Sequence, residues 1–365
     1  MKRSTLLGTF FFAVFLVSCS TSFLKYEKAE QLKKNEEFEE AVKIVKPSEP
    51  AEGTAGTTPA PAETPAPVVT AKETAKSVSK KTEKTAKPAA KAPAKTAKKS
   101  KGKVEPKAVP EVTRRQPDIE DDAGFEGRRP VVDPFRVGEE VVHDVHYFKV
   151  SAGELRLKVE PFSMVNNRKS YTFAIEIRTS SLFSTFYSVE DRVETFVDYE
   201  DLVPRVFQLH VKESGQLREA KMLFDVEKNT ATFWEKKVTK DHGEEEKKQQ
   251  WEILPYTQNV YSAAFYMRNF QWEPGKEIAF RVGNDNENLV FSGKALRREI
   301  LDTKLGPMKA IVIQPNIVLK GKFKPIGDNF IWLSDDDRRY ILRIESKIKI
   351  GTLVSEVVSI NPGKQ

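Results

Sequence analysis

The chain has 365 residues, enough for one large domain or two ordinary ones, and a formal net charge of +7. The basic excess lies in residues 47–110, which hold thirteen lysines and six glutamates, whereas residues 111–365 hold 39 basic and 41 acidic side chains. Because a nucleic-acid-binding surface needs a basic excess, we expect no nucleic-acid partner for the folded region. The single cysteine excludes an intramolecular disulfide.

The first residues have the pattern of a signal peptide, which we assign to residues 1–18. Lys2 and Arg3 precede an apolar run from Leu6 to Val17. This run is too short to cross ~30 Å of hydrocarbon as a helix, but it has the size of a signal-peptide core.

Residues 16–19, Leu-Val-Ser-Cys, resemble the lipobox of bacterial lipoproteins, in which a cysteine follows an apolar residue and two small or permissive ones. The resemblance implies that Cys19 becomes the acylated N-terminus of the mature chain, carrying fatty acids such as palmitate. Two or three acyl chains would hold the protein firmly at the membrane, at about 0.8 kcal/mol per buried methylene. Ser20, in place of an aspartate, indicates the outer membrane, with the chain facing the periplasm or the cell surface. The alternative is an ordinary cleaved signal followed by a stray cysteine.

Residues 19–46 form the lipidated N-terminus and a short helical segment in our prediction. Apolar residues recur every three or four positions between Phe23 and Lys46, which favours helix. The run at 33–37 could form a turn centred on Asn35. The segment is either a charged amphipathic helix near the membrane or one degenerate tetratricopeptide unit, which cannot bury its own apolar face alone.

Residues 47–125 are predicted to be a disordered linker, rich in Pro, Ala and Lys, because they contain almost no residue able to build a core. As a coil, residues 47–110 would reach roughly 40–50 Å, which suffices to hold a domain away from the membrane. The lysines could bind peptidoglycan or another anionic envelope polymer, or they could simply keep the linker soluble.

Residues 126–365 are predicted to form an antiparallel β domain. Leu155, Leu157 and Val159 alternate with charged residues, as expected for a half-buried strand. Short turn sequences separate about a dozen such segments, so consecutive strands should pair as a meander. So many strands must curl, close or split. We therefore predict a mainly β fold in which a large antiparallel meander curls into a half-barrel or barrel-like sheet.

One segment, Gln258 to Phe270, is apolar on almost every side and predicts a buried helix. Thr257 or Asn259 would cap its N-terminus, and Pro274-Gly275 would follow its end. We expect this helix to lie against the concave face of the sheet.

Several short motifs together resemble an uncharacterised bacterial envelope family, domain of unknown function 3108. They are Gly138-Glu139, Ala152-Gly153, Asn259-Val260-x-Ser262-Ala263, Tyr266-Met267-Arg268, Pro274-Gly275, Trp332-Leu333-Ser334-Asp335-Asp336, Arg339 and Lys347-x-x-Ile350-Gly351. The resemblance covers about residues 135–360 and implies an exported, strand-rich domain with no known activity. His143 stands where the family tends to have tyrosine.

The candidate functional residues are aromatic or acidic. Five aromatic side chains could stack on a sugar or line an apolar pocket, although core packing is their commoner use: Tyr261, Phe265, Tyr266, Trp272 and Trp332. Asp335, Asp336 and Asp337 could bind a cation or a basic partner, or could form a hairpin turn paired with Arg338 and Arg339. The sequence has no Gly-x-Ser-x-Gly, His-Glu-x-x-His or phosphate loop, so we predict no enzyme, metal or cofactor. His143 and His146 are predicted to point to opposite faces of one strand.

Two functions fit these patterns. In the first, the domain is a non-catalytic module that binds an apolar ligand, a polysaccharide or a protein of the envelope. In the second, the protein is a structural link between the outer membrane and the cell wall through its basic linker.

Overall fold

The computed structural model describes residues 35–47, 119–148, 150–284, 286–318, 329–348 and 351–364. Cys19, the apolar run and the lysine-rich segment lie outside these residues. In the described part of the chain, no helix combines the length and apolar character needed to cross a membrane.

The fold is dominated by strands. They are β1 (Ile44–Val45), β2 (Phe125–Glu126), β3 (Arg129–Pro130), β4 (Glu139–Tyr147), β5 (Val150–Val165), β6 (Arg168–Thr179), β7 (Val189–Asp198), β8 (Pro204–Glu213), β9 (Gln216–Asp225), β10 (Thr230–Thr239), β11 (Gly243–Glu252), β12 (Gln258–Asn259), β13 (Glu277–Asn284), β14 (Glu287–Thr303), β15 (Gly306–Val318), β16 (Phe330–Ser334), β17 (Ile341–Ile348) and β18 (Gly351–Pro362). The helices are α1 (Glu36–Ala41), α2 (Ser181–Ser184) and α3 (Val260–Tyr266), the last continued by a 3₁₀ turn, Met267–Asn269.

Two antiparallel meanders build one large sheet. The first runs from β4 to β11 and the second from β13 to β18, and they join where the last strand, β18, pairs with β4. The short parallel pair β12–β13 makes the sheet mixed and ends it on one side, while β11 ends it on the other. The predicted mainly β fold and its meander connectivity are confirmed, and the sheet curls without closing into a barrel.

The predicted buried helix is present as α3 and its 3₁₀ extension. Asn259 caps the helix, because its Oδ1 accepts hydrogen bonds from the backbone N–H groups of Tyr261 and Ser262. The helix contacts β6 and β7 of the first meander and β13 of the second, strands that lie far apart in the sheet. One helix can touch both only if the sheet curls around it. We call the face that packs on α3 the inner face.

The outer face carries a second, smaller core made with residues 35–47, which we call the N-terminal strap. Phe38 and Val42 of the strap are buried against Phe196, Val206 and Trp234 of the sheet. Strand β1 then pairs antiparallel with the end of β5. The predicted helix over 23–46 is therefore wrong beyond Ala41, because residues 44–45 join the sheet; residues 23–34 lie outside the described part.

Three ion pairs join charged residues at the rim of the strap to charged residues of the sheet. Lys46 pairs with Glu194 (2.7 Å), Lys221 with Glu39 (2.5 Å) and Lys248 with Glu37 (2.5 Å). Trp234 also donates its indole N–H to Glu37 (3.0 Å). The strap is thus held by apolar burial at its centre and by exposed or half-exposed charges at its rim.

Residues 119–125 lie within the predicted linker but are part of the folded structure. Glu120 forms a fully buried ion pair with Arg128 (2.9 Å), and the hydroxyl of Tyr266 donates to the same carboxylate (2.9 Å). Arg128 also donates to the hydroxyl of Tyr266 and to the carbonyl of Asp201. A buried, fully hydrogen-bonded pair of this kind fixes the entry of the chain into the domain, because removing either partner leaves an isolated charge.

Candidate ligand-binding site

Four of the five predicted aromatic residues lie in α3 or just after it, and Trp332 is buried on β16 of the second meander. Phe265 stacks on Phe173 with ring centroids 4.3 Å apart, and Tyr261 stacks on Phe207 at 5.2 Å. Tyr266 packs edge-on against Phe270 and Phe280. These contacts place the helix as a plug inside the curled sheet.

Both predicted tryptophans, Trp272 and Trp332, form hydrogen bonds within the domain. The indole of Trp272 donates to the carbonyl of Met267 (2.9 Å), and that of Trp332 donates to Glu299 (2.6 Å). A cavity near the junction of β11 and β12 has a volume of about 10 Å³, which is room for about one water. It is lined mainly by Val203, Phe224, Ile253, Leu254 and Tyr256.

The three aspartates at 335–337 form the turn between β16 and β17. Asp336 Oδ1 accepts from the backbone N–H groups of Arg338 and Arg339 and from Ser334 Oγ, while Asp335 pairs with Arg298 (3.0 Å). No group of three or more His, Cys, Asp or Glu side chains within the described ranges is arranged to hold a metal ion. The turn alone explains the position of these carboxylates.

The two histidines of β4 have separate environments. The Nε2–H of His143 must donate to the carbonyl of Ile341 (2.9 Å), so Nδ1 is the acceptor toward Ser355 Oγ (3.1 Å). Burial lowers the pKa of His143 to about 4, so the ring is neutral near pH 7. A β-bulge follows Val145, and His146 lies beside Asp144 (3.1 Å).

Two residues of the family-like motifs, Glu139 and Arg268, meet Arg338 in one largely buried charge group, which we call the clamp. Arg268 donates to one carboxylate oxygen of Glu139 (2.6 Å) and Arg338 to the other (2.5 Å). Both guanidinium groups also donate to the carbonyl of Pro134. The clamp joins the start of β4, the end of the helix and the β16–β17 turn, and its carboxylate oxygens are both paired.

A second polar group lies on the inner face of the first meander. The strand register places Phe207, Met222, Phe233 and Gln249 side by side on β8 to β11. Since Phe207 contacts the helix, this whole row faces inward. Residues two or four positions along the same strands share that face. Arg218, Glu235, Gln249 and Trp251 therefore all point inward, and we call them the inner polar cluster.

The inner polar cluster contains buried atoms that lack hydrogen-bond partners. Arg218 Nε lies 2.9 Å from Glu235 Oε1 as an ion pair, and the Glu235 side chain is only 5% exposed. Within the described residues, Arg218 Nε, Glu235 Oε2, Gln249 Oε1 and Trp251 Nε1 make no hydrogen bond, and they are four of eight such side-chain atoms. More than 90% of buried polar groups in proteins are paired, so the three atoms without any partner, on Glu235, Gln249 and Trp251, need an explanation.

The electrostatics beside this cluster are unusual. Asp191 faces inward from β7, because the inward-facing Val211 lies between it and Arg218 in the strand register. Burial, and then the nearby charge of Glu213, raises the pKa of Asp191 to about 7. Burial also raises the pKa of Tyr261 to about 12, with a smaller opposing effect from Arg218. This end of the inner face therefore holds titratable groups in a partly dehydrated environment.

None of the sequence motifs described above points to this cluster, although the strands β9, β10 and β11 carry a signal for it. In β10, charged residues occupy Glu235 and Lys237, two positions that continue the inward row begun by Ala231 and Phe233. A structural strand would keep such positions apolar. This break in the apolar–polar alternation of β10 indicates that one face of the sheet carries polar residues. It does not indicate whether that face is the inner or the outer one.

Fold and motifs together define a mainly β domain whose single curled sheet encloses one helix. The sequence profile of a family described as "Protein of unknown function (DUF3108)" matches residues 142–358, and the chain belongs to this family. A search of curated proteins finds no significant match.

Two solved structures are similar in part. A β-barrel-like protein of domain of unknown function DUF1849 from Brucella abortus has 8% sequence identity and a TM-score of 0.41, over 63% of this chain and 99% of that one. A protein with a YmcC-like fold from Bacteroides fragilis has 9% identity and a TM-score of 0.28, over 62% of this chain and 97% of that one.

Proposed function

We propose that this protein is an outer-membrane-anchored lipoprotein whose β domain is a non-catalytic binding module for a component of the cell envelope. The observation that carries the binding role is the inner polar cluster, whose unpaired buried atoms are free for a ligand. The anchor rests on the lipobox-like sequence ending at Cys19.

A polar ligand fits the domain better than an acyl chain. Phe265, Tyr266 and Phe270 fill the space inside the curled sheet with stacked and edge-on aromatic contacts. An acyl chain would need this apolar space. It would also leave the polar atoms of the cluster unpaired, at about 1–3 kcal/mol each.

The strap changes how the domain would be held at the membrane. Because residues 35–47 bind the outer face of the sheet, only residues 20–34 separate Cys19 from the folded domain. At ~3.3–3.6 Å per residue, that distance is on the order of 50 Å at most. The lysine-rich segment would then not set the distance to the membrane, since the chain is fixed to the domain at both of its ends.

The attachment of both ends of the lysine-rich segment to the domain also supports a second function. A basic segment that begins and ends on the domain is well placed to contact an anionic polymer while the domain stays near the membrane. In this version the protein links outer membrane and cell wall, and the attraction should weaken with salt because Coulomb interactions are screened beyond ~8–10 Å at physiological ionic strength.

Two experiments test these roles. Cys19→Ser should move the protein from the membrane fraction to the soluble fraction with its thermal midpoint unchanged, and full retention in the membrane would refute the anchor. The soluble Cys19→Ser protein, with and without residues 55–105, is then sedimented with isolated cell-wall sacculi and with outer-membrane vesicles at low and high salt. Binding that survives the deletion assigns recognition to the β domain, whereas salt-sensitive binding that disappears supports the linking role. No binding to either would refute both.

A further inference from the structure

We propose that the inner polar cluster binds a short neutral oligosaccharide, which names the ligand class of the proposed binding module and rests on that function.

The spacing of the cluster suits an extended ligand. Glu235 is paired in register with Lys247, and Trp251 lies opposite Ala231, four residues away along β10. At ~3.3 Å per residue, the polar atoms are spread over about 13 Å along the strands and across neighbouring strands ~4.8 Å apart. A single ion or a lone water does not cover this distance, but a chain of sugar rings does.

The unpaired atoms include both donors and acceptors. Trp251 Nε1 can only donate, whereas Gln249 Oε1 and an ionised Glu235 Oε2 can only accept. Arg218 Nε is already occupied by its ion pair with Glu235 Oε1. A hydroxyl group both donates and accepts, so a polyhydroxylated ligand can satisfy all three atoms without a change in their protonation.

The charges of the cluster argue against an ionic ligand. Arg218 and Glu235 neutralise one another at 2.9 Å, and Lys247 lies beside Glu235 in the register. Glu235 would repel an anionic ligand, and Arg218 and Lys247 would repel a cationic one. Repulsion between like charges is strong in such a buried site.

Aromatic rings border the polar atoms, as the apolar faces of sugar rings require. Phe233 lies on the same inward row as Gln249, and Lys247 Nζ lies 5.7 Å from the centroid of its ring. Lys247 is a long and partly exposed side chain, so a ligand can displace it without moving the backbone. Its displacement would uncover the ring for stacking.

The test uses the soluble Cys19→Ser protein and a panel of neutral hexose and N-acetylhexosamine oligosaccharides, with binding measured by titration calorimetry. At least one member should bind. Glu235→Gln and Trp251→Phe should each weaken that binding about tenfold or more, because a hydrogen bond to a charged or buried group is lost. The Trp251 substitution keeps an aromatic six-membered ring and removes the N–H donor together with the rest of the pyrrole ring.

Two variants on the outer face of the same strands serve as controls. Glu246→Gln and Trp234→Phe make the same chemical changes on β11 and β10 and should leave the affinity within about twofold. The thermal midpoint of every variant confirms that it is folded.

Three results would overturn the inference: no saccharide binds, the inner-face variants bind as well as wild type, or native mass spectrometry finds a peptide or lipid at the cluster. If the domain still binds sacculi or vesicles in the sedimentation assay, only the ligand class is wrong. If it binds neither those nor a saccharide, the proposed function fails as well.

Discussion

The clamp and the inner polar cluster are both buried groups of charged side chains, but they differ in how completely they are paired. In the clamp, both carboxylate oxygens of Glu139 accept from an arginine, and Arg268 also donates to the carbonyls of Arg338 and Pro134. In the cluster, the Glu235 Oε2 and Gln249 Oε1 acceptors and the Trp251 Nε1–H donor have no hydrogen-bond partner in the described structure.

This difference separates a structural role from a binding role. A buried charge group whose members are all paired stabilises one arrangement of the elements that it joins. A group left partly unpaired lowers the stability of the ligand-free protein, and proteins keep such groups where function needs them. The clamp therefore connects two of the family-like motifs, those that contain Glu139 and Arg268. The cluster is the surface at which we propose that the domain binds its ligand.

The largest expected effect comes from breaking the clamp. Glu139→Gln leaves two guanidinium groups without their counter-charge, and removing one partner of a buried pair typically costs 3–5 kcal/mol. The thermal midpoint should fall by roughly 10 °C in a domain of this size. Glu140→Gln is the matched control: Glu140 pairs with Arg156 where both are partly exposed, so its loss should cost no more than about 1 kcal/mol. Equal shifts for the two variants would show that the clamp is not structural.

Truncating Phe265, a buried side chain of the helix α3, should destabilise the protein by a similar amount. Phe265→Ala deletes a buried ring that stacks on Phe173, and such truncations cost about 3–5 kcal/mol. Denaturant unfolding measures this loss, and native mass spectrometry of both proteins checks for co-purified lipid. A small loss together with bound lipid would contradict the plug and favour a mobile helix over an apolar ligand.

His143, on β4 where the two meanders join, should make the stability of the domain sensitive to acid. Its pKa is about 4 in the folded protein because of burial, below the usual value of 6.5, so the unfolded chain binds the proton more readily. Stability from this site is complete above about pH 6.5 and is lost as the pH falls toward 4, by an amount on the order of 3 kcal/mol. His143→Gln should flatten this dependence, as measured by unfolding between pH 4 and 7. An unchanged pH profile would argue against a buried neutral histidine.

Asp191 should give the opposite pH dependence. Its pKa is raised to about 7, first by burial and then by Glu213, so the folded protein holds the proton more tightly than the unfolded chain. Stability from this site is present below about pH 4 and declines as the pH rises to 7. Asp191→Asn should therefore raise the thermal midpoint at pH 8 by a few degrees and leave it nearly unchanged at pH 4. A lower midpoint at pH 8 would show that the ionised carboxylate is stabilising.

Sequence patterns were sufficient for the parts of the fold that depend on local periodicity. The alternation around Leu157, the apolar segment ending at Phe270 and the polar turn at Asp336 all predicted what the structure contains. These features depend on neighbours a few residues away, which is why a pattern can predict them.

Features that depend on distant partners could not be predicted in this way. Phe38 and Val42 have a spacing that suits a helix, and only the outer face of the sheet determines that the chain extends after Ala41. Arg268 and Glu139 are 129 residues apart in the sequence, and nothing local pairs them. Glu235 and Trp251 have unpaired atoms because no hydrogen-bonding group lies close to those atoms in the folded structure. A local sequence pattern contains no information about such distances.

The most direct test of the difference between the two charge groups is the thermal midpoint of Glu235→Gln, measured without ligand beside that of Glu139→Gln. Our account predicts that Glu235→Gln leaves the midpoint unchanged or raises it slightly, because it removes a charge that is incompletely paired in the ligand-free protein. A fall as large as that of Glu139→Gln would contradict it and would assign the inner polar cluster a structural role like that of the clamp.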